Sequence, residues 1–401
     1  MTSLEDIRAA RIAGHRVVKV TPIVSSMTLS KLVGGSIVLK AENLQRTGSF
    51  KIRGAMNKVA SLGDAARNGV TAGSAGNHAQ ALAYAAAHYG VACEIFVPEG
   101  ASISKIAACE AYGATVREGG ASLTEAVAAS RARADEAGMA FCHPFDDPMV
   151  VAGQGTLGLE LAEDLDDLAT VIVPLGGGGL AAGVAIAVKS LNPDVRIVGV
   201  QAAACAPYLG HQPPPGAIVT LADGIAVKSP GAFTAPLIEH WLDEIVTVDE
   251  DTIADAMVLL MERAKFYVEG AGAVGVAALM GSRVTPAATG TTCVILSGGN
   301  VDLGVVPGLI RRHEHEAGRR LTMFVRIDDR PGGLARLLNA CASAGANLID
   351  VDHVREGLDL HVRETGIRAT FEVRSVEHGS EVIATARGVG YRVNDERSGH
   401  T

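Results

Sequence analysis

The sequence predicts an α/β protein of two lobes, with parallel sheets covered by helices, continued by a small strand–helix–strand–strand–helix–strand unit. Three observations predict it. Strand-like and helix-like segments alternate up to about residue 310. The chain has 401 residues, 48% hydrophobic and only 4% aromatic, with 47 glycines. That suits closely packed helices and strands in more than one minimal domain. Beyond a charged stretch at 311–320 the order of elements changes, and so does composition: the last lysine is Lys265, and the tail uses arginine only.

In chain order, CEIFVPEG reads as a strand and SISKIAACEAYG as a helix stopped by Gly113. ATVRE is the next strand. SLTEAVAASRARADEAG is a helix whose Ser122 and Glu125 form a capping-box pattern. VIVP, a helix over 180–191 and RIVGVQ repeat the theme. Residues 1–310 then form the main part, with a smaller lobe at about 50–148 inserted in it. RRHEHEAGRR (311–320) reads as a linker or a solvated connecting helix. In the tail, LTMFVRI, NLIDVDHV, IRATFEVR and YRV are strands. PGGLARLLNACASAG is a helix with Leu334, Leu337, Leu338 and Cys341 on one face, and 380–387 is another helix. IRATFEVR alternates Ile367, Ala369, Phe371 and Val373 with polar residues, the period of a half-buried strand. This β-α-β-β-α-β order over 321–401 is that of a ferredoxin-like unit.

Several function classes are excluded. A formal charge of −9 with no basic cluster leaves no face for a nucleic-acid backbone. The six cysteines are scattered without a C-x-x-C pair, as expected of buried thiols in a reducing compartment. MTSLEDIRAARIAG has no apolar core, so no secretory signal is indicated. The uncharged run 171–188 is interrupted by Pro174 and four glycines, and reads as strand, loop and helix and not a membrane span. His313 and His315 are read as exposed, and no metal is expected. The protein is expected to be cytoplasmic.

Four segments carry chemistry. In TGSFKIRGA, Lys51 lies between Phe50 and Ile52, so part of its shell is expected to be apolar and its ammonium pKa depressed. Such an amine suits a Schiff base with a cofactor aldehyde. In VIVPLGGGGLAAG, Gly176, Gly177, Gly178 and Gly179 follow a strand and open a helix at Leu180. Their N–H groups suit a phosphate, though the same glycines also suit a tight turn. In ILSGGN, Ser297 sits at the carboxyl end of a strand, where α/β sheets bind ligands. A hydroxyl there leaves a facing pyridine nitrogen largely unprotonated; capping a turn is its other reading. In SAGNHAQA, Ser74, Ala75, Gly76, Asn77 and His78 lie at a helix N-terminus, a seat for a carboxylate as well as an ordinary cap.

Together these segments resemble the fold-type II pyridoxal 5'-phosphate enzymes, in the branch of threonine dehydratases and serine racemases. HPFDDPMVVAGQGTLGLEL, LADGIAVKSPG and VEGAGAVGVAAL extend the resemblance over roughly residues 10–310. It implies that Lys51 holds pyridoxal phosphate as a Schiff base, with Phe50 on the ring. It implies that Asn77 bonds the ring oxygen, Gly176–Gly179 with Leu180 the phosphate, and Ser297 the ring nitrogen. Ser74 and its neighbours would take the substrate carboxylate, with Gly224 and Glu269 as further pocket residues. The implied activity is elimination from L-threonine to 2-oxobutanoate and ammonia, with L-serine a second substrate giving pyruvate.

Serine racemase is the nearest alternative. Racemases of this branch place a serine just before the Gly-Asn-His of the loop, and Ala75 stands there, unable to donate a proton. β-Replacement and a non-catalytic sensor are further alternatives. The tail, through DDRPGGL and GANLID, resembles ACT domains. That implies an amino-acid effector near Gly333 and Asn347, or an oligomerisation module that binds nothing. A homodimer or homotetramer is implied, acting on a small amino acid and not on nucleic acid or membrane.

Overall fold

A parallel strand covered on both faces needs no polar alternation, and Leu168–Pro174, Arg196–Ala202 and Thr291–Leu296 are buried along almost their whole length. In the computed structural model, which describes residues 2–211, 218–355, 361 and 363–395, they occupy the middle of a six-stranded sheet. Its order is Ile23–Ser25, Ser36–Ala41, Thr291–Leu296, Leu168–Pro174, Arg196–Ala202 and Glu244–Val248. Only the Ile23–Ser25 edge runs antiparallel to its neighbour. A second sheet, all parallel, has the order Thr115–Glu118, Cys93–Val97, Val70–Gly73 and Ala140–Phe141. The two sheets are the two lobes of one unit, Met1–Asp302.

The helix Pro148–Asp164 packs against both Gly179–Leu191 and Lys51–Leu62, and so ties the lobes together. Contact with Lys51–Leu62 is close because both sides are glycine. A Cβ on Gly54 would lie 2.5 Å from Gln154 Nε2, and one on Gly153 2.5 Å from the Gly54 Cα. A buried ion cluster locks the same contact. The Arg53 guanidinium reaches Glu42 at 2.8 Å and Glu160 at 2.6 Å, and Lys40 reaches Glu160 at 2.6 Å. Burial alone would raise the Glu42 carboxyl; Arg53, with Thr21 and Lys40, brings it below its ordinary range.

The sequence expectations for the remaining helices hold with one change of partner. Ser122 Oγ accepts from the Glu125 N–H at 3.2 Å, but the Glu125 carboxylate reaches the Ala121 N–H and not the Ser122 N–H, so the box is half closed. Gly113 ends its helix region at φ 86°. All six cysteines are free and buried. Among the described residues no helix is long and apolar enough to cross a membrane.

The second unit is Leu303–Thr401. The 311–320 stretch is largely helical, within Val306–Glu316. Val306 and Leu309 are buried, and Arg312 pairs with Glu316 one turn on at 2.7 Å. His313 and His315 are half-buried there, not exposed. The unit continues as strand Arg320–Asp328, helix Gly333–Ser343, strands Asn347–Val354 and Glu364–Glu372, helix Val376–Gly388 and strand Arg392–Asp395. Its antiparallel sheet has the ferredoxin-like arrangement, second strand, third, first, fourth. Ile367, Ala369, Phe371 and Val373 face its core with Leu337 and Cys341, as their periodicity requires.

Candidate active site

Parallel strands all open at the same end, and every sequence-predicted residue of the first unit except Phe50, Lys51, Gly224 and Glu269 lies on or just after such an opening. Gly176 follows Leu168–Pro174, and Ser297 follows its neighbour Thr291–Leu296. Ser74 follows an inner strand of the smaller sheet, Val70–Gly73, and the neighbouring Ala140–Phe141 leads into His143–Asp146. Ligands collect at such carboxyl ends.

Lys51 is the first residue of the helix Lys51–Leu62. The turn before it is stitched to the Ser297 loop: the Phe50 N–H donates to the Ser297 carbonyl at 3.0 Å, Ser49 bridges Gly298, and the Gly299 N–H donates to the Gly48 carbonyl at 2.8 Å. Lys51 Nζ donates to the Pro144 carbonyl at 2.9 Å and lies 5.2 Å from the Phe50 ring centre. Part of the side chain stays accessible, as a group that receives an aldehyde requires. Burial nevertheless lowers the ammonium from 10.5 to about 8, against the opposing pull of the Glu269 carboxylate. The depressed amine expected from the flanking Phe50 and Ile52 is therefore present.

The glycine loop is wholly buried. Gly178, at φ 93°, is the N-cap of Gly179–Leu191 and supplies no side-chain cap, so the first-turn N–H groups have none. The Phe145 ring packs against Gly177, where a Cβ would lie 2.3 Å from Cδ1. Leu180 and Ser297 are 5% and 2% exposed.

On the smaller lobe the helix starts at Asn77, capped by Gly76 without a side chain. Ser74 does not cap it; its hydroxyl accepts from the Gly76 N–H at 3.3 Å. Ala75 is half-buried beside it. Asn77 Nδ2 donates to Glu269 Oε1 at 2.7 Å, and its Oδ1 accepts from Asn300 Nδ2 at 2.7 Å. Burial, then the Asp223 carboxylate, raises Glu269 to about 7, against the Asn77 N–H and the charges of Lys105 and Lys51. A Cβ on Gly224 would come 3.7 Å from Glu269 Oε1. His78 turns away, its Nε2 paired with the Cys142 carbonyl at 2.9 Å. Burial and the Lys51 charge lower it to about 3, so it is neutral.

Lys51, Phe50, Asn77, Gly224, Glu269 and Ser297 are thus tied into one neighbourhood by contacts and charge interactions, with the glycine loop joined to it through Phe145. Sequence reasoning missed Asn300, Pro144 and Phe145, as well as Tyr208 and Thr234, whose hydroxyls donate to the Gly177 carbonyl, and Asp146, which accepts from the Thr234 N–H. Asn300, Pro144, Phe145 and Asp146 lay inside noted motifs; Tyr208 and Thr234 carry no local signal. In the tail, Gly333 starts the helix Gly333–Ser343 and Asn347 lies beyond its other end, so the two are not brought together. Next to Gly333, Asp328–Gly332, Leu334, Leu338, His353 and Arg355 line a concavity of ≈ 510 Å³. Among the described residues no group of three or more His, Cys, Asp or Glu could hold a metal.

A desolvated amine, a buried helix N-terminus that no side chain caps, and a serine hydroxyl at an adjacent strand end fit pyridoxal phosphate: aldehyde, phosphate and ring nitrogen each have a group suited to them. Comparison with known proteins agrees. The family model for pyridoxal-phosphate dependent enzymes matches residues 15–298. The L-threonine ammonia-lyase of Geobacter sulfurreducens is 46% identical over 384 residues, covering 94% of this chain and 95% of that one. That of Thermotoga maritima is 42% identical over 399 residues, covering 98% and 99%. Among solved structures, maize serine racemase superposes with a TM-score of 0.73 at 33% identity, over 79% of this chain and 98% of its own.

Proposed function

Since the chain belongs to the pyridoxal-phosphate dependent enzymes, we propose that it is an ammonia-lyase that converts L-threonine to 2-oxobutanoate and ammonia, and L-serine to pyruvate. The observation that carries this reading is the buried Lys51 amine, brought to about 8 and facing Glu269. Two near-full-length relatives named L-threonine ammonia-lyase support the substrate.

Pyridoxal phosphate, when bound, supplies an aldehyde that captures amines and a ring that accepts the electron pair left when the Cα proton departs. The chain's residues do the rest. Lys51 would hold the aldehyde, and its amine, brought to about 8, would be available near neutral pH to take the Cα proton. N–H groups of Gly176–Leu180 would hold the phosphate, and Phe50 would flank the ring. Asn77, whose amide is fixed by Glu269 and Asn300, would offer its remaining N–H to the ring oxygen. The uncharged Ser297 hydroxyl leaves the ring nitrogen largely unprotonated, which favours prompt loss of the β-hydroxyl. Ser74, Ala75, Gly76 and Asn77 present the substrate-carboxylate seat, with Gly224 and Glu269 closing the pocket and His78 supporting it from behind.

Ala75 supports elimination over racemisation because a methyl group has no proton to return to the opposite face. Product analysis of the loaded enzyme tests this: 2-oxobutanoate from L-threonine and pyruvate from L-serine are expected. D-Serine accumulating from L-serine in place of pyruvate would overturn it.

The tail is proposed to be an ACT-like regulatory domain whose concavity beside Gly333 takes an amino-acid effector. Asp328, Asp329, Arg330 and Arg355 there offer both charge signs to a zwitterion. Asn347 is the second effector candidate, in a separate position. A homodimer or homotetramer working in the cytoplasm completes the proposal; six free, buried thiols support the reducing setting. Removal of residues beyond 320 should abolish any effector response and spare turnover; a response that survives would place the effector elsewhere.

A further inference from the structure

The Asp146 carboxylate lies on the turn after Ala140–Phe141, outside the residues that face the proposed cofactor. It accepts from the backbone N–H groups of Ala232 at 3.0 Å, Phe233 at 2.9 Å and Thr234 at 3.0 Å. The last two are orphan donors at the start of the helix Thr234–Trp241, whose N-cap Phe233 supplies no side-chain cap. The fit is tight: a Cβ on Gly231 would lie 2.1 Å from Asp146 Oδ1. The turn carrying Asp146 is itself fixed, its N–H donating to His143 Nδ1 at 2.7 Å.

Thr234, held this way, donates its hydroxyl to the Gly177 carbonyl at 2.6 Å, and Tyr208 Oη donates to the same carbonyl at 3.3 Å. A peptide unit is rigid, so fixing the Gly177 carbonyl fixes the direction of the Gly178 N–H. In a loop of four glycines no side chain does that work, and glycine backbone is otherwise free to rotate. We infer that Asp146 is a positioning residue: through Thr234 it sets the Gly177–Gly178 peptide so that the loop is preorganised for a phosphate. The inference rests on the proposed cofactor site and adds the device that aims its phosphate cradle.

The experiment compares the affinity of cofactor-free protein for pyridoxal phosphate with that for pyridoxal, which has the same aldehyde and no phosphate. Both are followed by visible absorbance of the lysine-bound cofactor. Asp146→Asn and Thr234→Val should each cut the phosphate-dependent ratio of affinities by roughly tenfold, as expected for losing a charge-assisted or buried hydrogen bond. Thr234→Ser should restore it. Pyridoxal affinity should stay close to wild type. Equal loss of both ligands would show general disorder of the fold and overturn the inference, as would an unchanged ratio in either variant. If Asp146→Asn fails to fold, the Thr234 pair decides alone. A wild-type protein with no preference for the phosphorylated form would instead refute the glycine-loop assignment beneath it.

Discussion

Replacing Lys51 by methionine should stabilise the cofactor-free protein at neutral pH. The folded pKa of about 8 lies below the ordinary 10.5. Below pH 8 the lysine is charged both folded and unfolded, and the folded state bears the full cost of holding a buried ammonium, about 3 kcal/mol at ~1.4 kcal/mol per unit. Between pH 8 and 10.5 the unfolded chain still binds the proton while the folded one has released it, so wild-type stability rises with pH. Above 10.5 both forms are neutral and the cost is gone. Methionine fills similar space but forfeits the hydrogen bond to the Pro144 carbonyl, a loss of about 1 kcal/mol. The variant should therefore be about 2 kcal/mol more stable at pH 7 and about equal to wild type at pH 10. Urea unfolding of both proteins at the two pH values reads this directly. A variant less stable at pH 7, or a difference that does not change with pH, would refute the idea that Lys51 is desolvated.

Glu269, raised to about 7, should set the acid limb of the pH–rate profile. As pH falls through 7 it takes a proton, its hold on the Asn77 amide weakens, and kcat/KM should drop. Glu269→Gln should lack that limb and run roughly tenfold below the wild-type plateau; a limb near 7 surviving in the glutamine variant would count against the assignment. Arg53→Met should lower unfolding stability by about 3–5 kcal/mol, because Glu42 and Glu160 are left as buried charges with Lys40 alone to balance them. A loss under about 1 kcal/mol would mean that the cluster does not lock the helix of Lys51.

What the sequence made legible was local. The buried strands showed as Val/Ile runs, the tail strand 367–373 as strict alternation, and the glycine loop as an apolar strand running into a helix start. Each is a pattern over neighbouring residues. Ser74 looks like a helix cap for the same reason, yet backbone geometry gives that position to Gly76. The helix Val306–Glu316 was obscured by its charge; only Val306 and Leu309 are buried, too few for a visible period. The partners that complete the site come from distant loops. Asn300 reaches Asn77 across 223 positions and Thr234 reaches Gly177 across 57. Such convergence depends on the order of parallel strands, which no single segment encodes. Likewise, Gly333 and Asn347 look close in the tail, but an intervening helix of 11 residues sets them at its opposite ends.

Borohydride reduction of the cofactor-loaded enzyme, followed by digestion and peptide mapping, tests the central claim most directly. The pyridoxyl group should appear on Lys51 and on no other lysine. Label on a different residue, or none, would contradict the account.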